Sequence, residues 1–206
     1  MDDHNFYTVT SPPDFSHTET LCTDHLRTLF AKRGFCASCD HADIGDALAL
    51  GEGALGGGLV RPEIVMACEQ RTQRCFFVRR GGEGEVEAFI ALLFLSRAGY
   101  EALMFGRFDP ESPDLTHLAG IKERASAIYV WCLAGATPKA QRAVVRAVTE
   151  ARRKAFPDRA LFARPLSREG RMMTAALDAP GAGAAWLGWV PAHPGAHCGD
   201  DSVEAV

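Results

Sequence analysis

The chain has 206 residues, of which 47% are apolar and 23% charged. That is enough for a sizeable core without a metal or disulfide scaffold. A net charge of -4 and a pI near 6.0 argue against nucleic acid or an anionic membrane as the main partner.

Residues 1–7 have neither the basic nor the apolar region of a signal peptide. The longest apolar run, residues 88–95, is far shorter than the ~20 residues of a membrane span. The sequence therefore predicts a cytoplasmic protein with no membrane partner. Residues 6–10 alternate and are rich in β-formers, which predicts a first strand, stopped by Ser11-Pro12-Pro13. From 19 to 32 the spacing turns helical, with Leu21, His25, Leu29 and Leu26, Phe30 recurring at three and four residues. Gly34 suits the end of that helix.

Seven cysteines, an odd number, argue against a disulfide framework. Cys36, Cys39 and His41 begin a zinc pattern, but no second Cys-x-x-Cys supplies the remaining ligands. The pair also follows a helix, whereas a thioredoxin-like site would open one. No metal is expected, and the cysteines read as reduced thiols. Residues 43–50 predict a second helix or a turn. The glycine-rich stretch 51–58 lacks the Lys-Ser/Thr of a phosphate loop and reads as a mobile surface loop.

Residues 75–79 and 85–96 predict two strands, joined by a hairpin turn through Gly81, Gly82 and Gly84. The unbroken apolar run in the second suits a central strand covered on both faces. Residues 97–99 read as a break, 100–108 as a further strand or strand–turn, 109–114 as a loop and 117–124 as a short helix. Residues 127–133 predict a buried strand. Thr137 and Pro138 suit a helix cap and first helical position. Ala140, Val144, Ala147, Val148 and Ala151 then form a helical apolar stripe. Arg152, Arg153 and Lys154 close it, complementing the helix dipole. A strand over 160–163, a helix over 168–177 capped by Ser167, a turn over 178–184 and a strand over 186–190 complete the order. No internal repeat appears, so a single domain over 1–193 with a flexible tail over 194–206 is expected.

The unit spanning 126–166 is a strand, a capped helix and a strand, with the helix N-terminus presented to an anion. This order resembles the GNAT superfamily, whose members transfer acyl groups from coenzyme A to amines. The resemblance rests on Ala127-Ile128-Tyr129-Val130-Trp131-Cys132-Leu133-Ala134-Gly135 as the family's fourth strand and on Thr137 to Lys154 as its cofactor helix. Leu161-Phe162-Ala163-Arg164 resembles the fifth strand, and Leu187-Gly188-Trp189-Val190-Pro191 the closing Leu-Gly-Phe-x-Pro.

The resemblance implies an α/β (α+β) fold with a central mixed, mostly antiparallel sheet flanked by helices. It implies acetyl-CoA or another acyl-CoA as co-substrate and an amine-bearing small molecule or protein as acceptor, and leaves a homodimer open. It places the pantetheine along Leu133, Ala134 and Gly135. The phosphates fall at Lys139, Ala140, Gln141, Arg142 and Ala143, with Ser167 beside them. A helix N-terminus carries about half a positive charge and unpaired N–H groups, which suits a pyrophosphate. The family loop is usually Gln/Arg-x-x-Gly-x-Gly/Ala. Here Ala140 stands for the first glycine and Arg142 for the second, while Pro138 removes one donor. Arg142 either blocks the phosphate or binds it. The tyrosine that many relatives use as general acid is absent, and Thr174 falls near its place. Glu123, Glu101, Asp109 and His117 are the candidate bases, His117 because of its natural pKa. Two functions follow: an N-acyltransferase, or a GNAT-like fold that has lost catalysis and serves as a binding or regulatory module.

Overall fold

The computed structural model describes residues 23–55, 59–157, 159–164 and 186–187. Its core is a mixed sheet of six strands in sequence order: β1 (Phe35–Ala37), β2 (Phe76–Arg80), β3 (Val86–Leu95), β4 (Ala127–Gly135), β5 (Ala160–Ala163) and the two-residue β6 (Trp186–Leu187). The first four pair antiparallel; β4–β5 and β5–β6 are parallel. The described helices are α1 (Thr23–Ala31), α2 (His41–Leu55), α3 (Pro62–Thr72), α4 (Arg97–Met104) and α5 (Pro138–Lys154).

Strand periodicity divides β3 between two cores. Phe89, Ala91, Leu93 and Leu95 face one, closed by Ile44 and Leu48 of α2, Val65 of α3 and Leu103 of α4. Ala88, Ile90, Leu92 and Phe94 face the other, closed by Leu26 and Phe30 of α1 and the Val144–Ala147–Val148–Ala151 stripe of α5. A strand covered on both faces needs an unbroken apolar run, and β3 has one.

Several expectations are corrected. The glycine-rich stretch is helical through residue 55, because α2 lies flat on the sheet. A Cβ at Gly51 would come within 3.1 Å of the Phe89 ring, so the missing side chain permits the close approach. Asp40 caps this helix, accepting from Ala42 N and Asp43 N at 2.9 and 3.1 Å. Residues 100–108 do not form a strand. Ser96 accepts a hydrogen bond from Gly99 N–H, nucleating α4 at the segment expected to be a break. The helix expected over 117–124 shortens to a 3-10 turn at Leu115–His117. Leu118 then bridges to Leu95 instead of coiling. Strand β1 and helix α3 had no clear sequence signal. The strand expected over 6–10, the helix over 168–177, the turn over 178–184 and the tail over 194–206 lie outside the described residues.

Glu150 on α5 ties that helix to the turn after α1. Its carboxylate accepts from Arg33 Nη2 and Lys154 Nζ, each at 2.8 Å. The Lys154 and Arg33 hydrogen bonds hold its pKa down from 4.5 to about 2. A depressed folded pKa means that the unfolded chain binds more protons in this range. The contribution is therefore present above about pH 4.5 and lost as pH falls toward 2. Glu150→Gln should unfold at lower denaturant than the parent protein at pH 7, and the two midpoints should converge near pH 2. Parallel midpoints across that range would contradict the assignment.

Candidate functional site at the end of strand β4

Strand β4 is buried at both ends and half-buried from Val130 to Leu133. Its parallel partner β5 follows it only from Ala127↔Ala160 to Val130↔Ala163. Beyond that point Cys132 to Gly135 pair with β3 alone among the described residues. At the same point β4 is irregular. Ala91 pairs with Cys132 and Leu92 with Val130, leaving Trp131 as an extra residue. Such a bulge bends the strand and breaks the alternation of its side chains. Trp131 and Cys132, although consecutive, both pack against the α2/α3/α4 core, whereas Val130 and Leu133 pack against the α1/α5 core.

An open cavity of about 290 Å³, counting its mouth, adjoins this bulge. Its floor is a cross-strand row, Phe76–Ala91–Cys132. Phe89, Trp131 and Leu48 wall it, and Leu59, Val60 and Val65 complete the lining. Among the described residues no charged side chain lines it. Burial raises the Cys132 thiol to about 12, so the sulfur stays protonated and is a poor nucleophile. The Trp131 ring is anchored by its Nε1–H, which donates to Pro110 O at 2.8 Å.

At its far end β4 runs directly under α5. Gly135 packs so tightly that a Cβ there would lie 2.7 Å from Gln141 N and 2.8 Å from Ala140 C. Gln141 Nε2 donates back to Gly135 O at 3.2 Å. Thr137 caps α5 as expected, accepting from Ala140 N–H at 3.2 Å. That cap consumes one of the amides offered to an anion. Pro138 has none, and Gln141 N is bound to Thr137 O at 2.9 Å. Lys139 N–H is left as the helix-end donor, so positive charge here comes largely from side chains. Lys139, Arg142 and Arg146 are exposed and lie three and four residues apart on one side of α5. Neither Lys139 nor Arg142 has an ion-pair partner among the described residues, and the first turn carries no acid. Ala140 is buried and Ala143 half-buried, so the small residues face the sheet and the basic ones solvent.

The residues expected to bind cofactor are thus partly brought together: Leu133, Ala134 and Gly135 end β4, and Lys139 to Ala143 form the first turns of α5 directly above. Ser167 and Thr174 lie outside the described residues. Glu123 precedes the opposite end of β4, a strand that spans roughly 26 Å from Ala127 to Gly135 at ordinary strand rise. Its carboxylate accepts from Gly120 N at 2.8 Å and from Arg71 Nη2 at 2.9 and 3.0 Å. The Gly120 N–H, and then Arg71, hold its pKa below the ordinary value, which weakens it as a base. His117 is half-buried and linked to β4 through Phe108, whose ring lies 6.3 Å from His117 and 5.8 Å from Tyr129. Glu101 is held by Arg97 at 3.0 Å, and Asp109 accepts from Glu111 N. Trp131, Cys132 and the apolar lining had escaped sequence reasoning. A bulge leaves no periodic mark in a run that is apolar on both faces.

Cys36 lies in β1 and Cys39 just after it, both exposed. His41 Nε2 sits 3.5 Å from Glu63. Among the described residues no three His, Cys, Asp or Glu side chains converge as a metal site would need, and no helix is long and apolar enough to cross a membrane. The chain matches no protein-family model, no curated protein and no solved structure.

Proposed function

We propose that the protein is a GNAT-like acyltransferase that moves an acetyl or other acyl group from coenzyme A to an amine. The observation that carries this reading is the end of β4. Among the described residues, one strand supplies an edge with no partner beyond Val130, a bulge, an adjoining apolar cavity and close packing beneath a basic helix start. An unpaired strand edge offers N–H and C=O groups to an extended amide-bearing chain. Pantetheine is such a chain, and Trp131 to Gly135 would receive it. The phosphates then fall at Lys139 and Arg142, with Lys139 N–H as the helix-end donor. In this arrangement Arg142 binds phosphate; it does not block it.

The reaction asked of the site is attack of a neutral amine on the thioester carbonyl, with coenzyme A thiolate leaving. Holding the two reactants in line supplies much of the rate. Because Glu123 lies at the other end of β4 and the Cys132 thiol stays protonated, neither is assigned a role in proton transfer. His117, two ring contacts from mid-β4, is the better placed base. A second reading, a module that binds coenzyme A without turnover, is favoured by the single open amide at the helix start.

Titration with acetyl-CoA followed by thermal unfolding tests the first step. A ligand that binds only the folded state at a hundred times its Kd stabilises by about 2.7 kcal/mol, which is a shift of several degrees. An unmoved transition with coenzyme A and with acetyl-CoA would sink both readings. Release of free thiol with a panel of amines then separates the enzyme from the binder.

A further inference from the structure

From the cavity beside the bulge we infer that the donor carries an acyl chain longer than acetyl, and that this chain, not the acceptor, occupies the cavity. The inference rests on the coenzyme A reading above and adds the chemical class of its donor. Three observations lead to it. First, the cavity opens where β4 loses its β5 partner. Trp131 and Cys132 are the first residues beyond the last parallel pair, Val130↔Ala163, and both line it. A thioester borne on that edge of β4, which has no other partner among the described residues, therefore lies beside these two lining residues. Secondly, the cavity runs across the sheet, away from that edge, over Ala91 to Phe76. Ala91 is the small residue that keeps it open, flanked in the same row by larger side chains. Thirdly, its lining among the described residues is apolar: aliphatic and aromatic side chains together with the Cys132 thiol. An ammonium acceptor would be stripped of water there with no carboxylate to receive it, at high cost. Methylene groups gain by the same transfer. The enclosed space is small, which suits a short chain better than a bulky ligand.

Burial of a methylene is worth about fourfold in affinity. Calorimetric titration of the full chain with coenzyme A and with acetyl-, butanoyl-, hexanoyl- and octanoyl-CoA should therefore show Kd falling about fourfold per added methylene, then levelling once the cavity is filled. Ala91→Leu, which fills the floor, should abolish the gain while leaving the Kd for coenzyme A itself unchanged. Val60→Phe, at a half-buried lining position, should do the same and serves if Ala91→Leu fails to fold. A flat series with intact coenzyme A binding would overturn the acyl-chain assignment and leave the cofactor reading standing. A gain that persists in the folded variant would place the chain elsewhere and overturn it too. Failure of coenzyme A to bind at all would overturn both.

Discussion

Replacement of Arg74 by methionine is expected to destabilise the protein by about 2–4 kcal/mol, the cost of taking a charged donor away from buried carbonyls. Arg74 is fully buried between α3 and β2. Its guanidinium donates to Gly120 O and Glu123 O at 3.1 Å and reaches Ala119 O at 3.5 Å, while its Cζ lies 4.8 Å from the Phe94 ring centre. Burial lowers its pKa to about 10, so it is still charged at neutral pH. Methionine keeps the apolar stem but takes the Arg74 donor from Ala119 O and Glu123 O, each costing roughly 1–3 kcal/mol if buried, while Gly120 O keeps the Glu123 N–H at 3.0 Å. These carbonyls belong to the segment that delivers the chain into β4, so the loss should spread to the site. Urea denaturation measures it as a lowered midpoint with an unchanged slope. A loss below about 1 kcal/mol would show that the loop finds water or another donor.

A second large effect is expected at Gly135. Substitution by valine puts a Cβ within 2.7 Å of one backbone atom of α5 and 2.8 Å of another, and backbone cannot yield as the tip of a side chain does. Overpacking of this kind costs about 1–3 kcal/mol. The effect should reach the ligand as well, because separating β4 from α5 parts the strand edge from Lys139 and Arg142. Coenzyme A affinity is expected to fall by about tenfold or more, equivalent to about 1.4 kcal/mol. Gly82→Ala in the β2–β3 hairpin is the control. A Cβ there meets nothing within 4 Å, and both stability and affinity should stay close to those of the parent. If Gly135→Val bound coenzyme A as well as this control, the strand end and the helix start would not form one site.

The legible and illegible parts of this fold divide along physical lines. β4, α5 and the β2–β3 hairpin were readable because each had a local signal: an apolar run, a Thr-Pro cap with an apolar stripe, and clustered glycines. α4 was misread because Tyr100, Ala102, Leu103 and Phe105 suit strand as well as helix, and the deciding contact is the Ser96 hydroxyl on Gly99 N–H. The end of α2 was misread for a tertiary reason. Glycine lowers helix propensity, but Gly51 is needed where the helix crosses Phe89. The residues at the end of β4 and the start of α5 that the proposal assigns to coenzyme A were picked out because caps and dipoles are local. Its apolar half was not, since Phe76, Ala91 and Cys132 meet only when three strands are in register. Glu123 attracted attention as an acid just before β4, yet strand length carries it to the far end, where Arg71 and Gly120 engage it.

The central claim is that the free edge of β4 receives the pantetheine of coenzyme A. Amide hydrogen exchange read by mass spectrometry, with and without saturating coenzyme A, tests it at the residues concerned. The peptide covering Trp131 to Gly135 should exchange more slowly in the complex, together with the first turn of α5, while the β1–β2 pair stays unchanged. Binding that leaves residues 131–135 unprotected, or protects a different part of the sheet, would contradict the account.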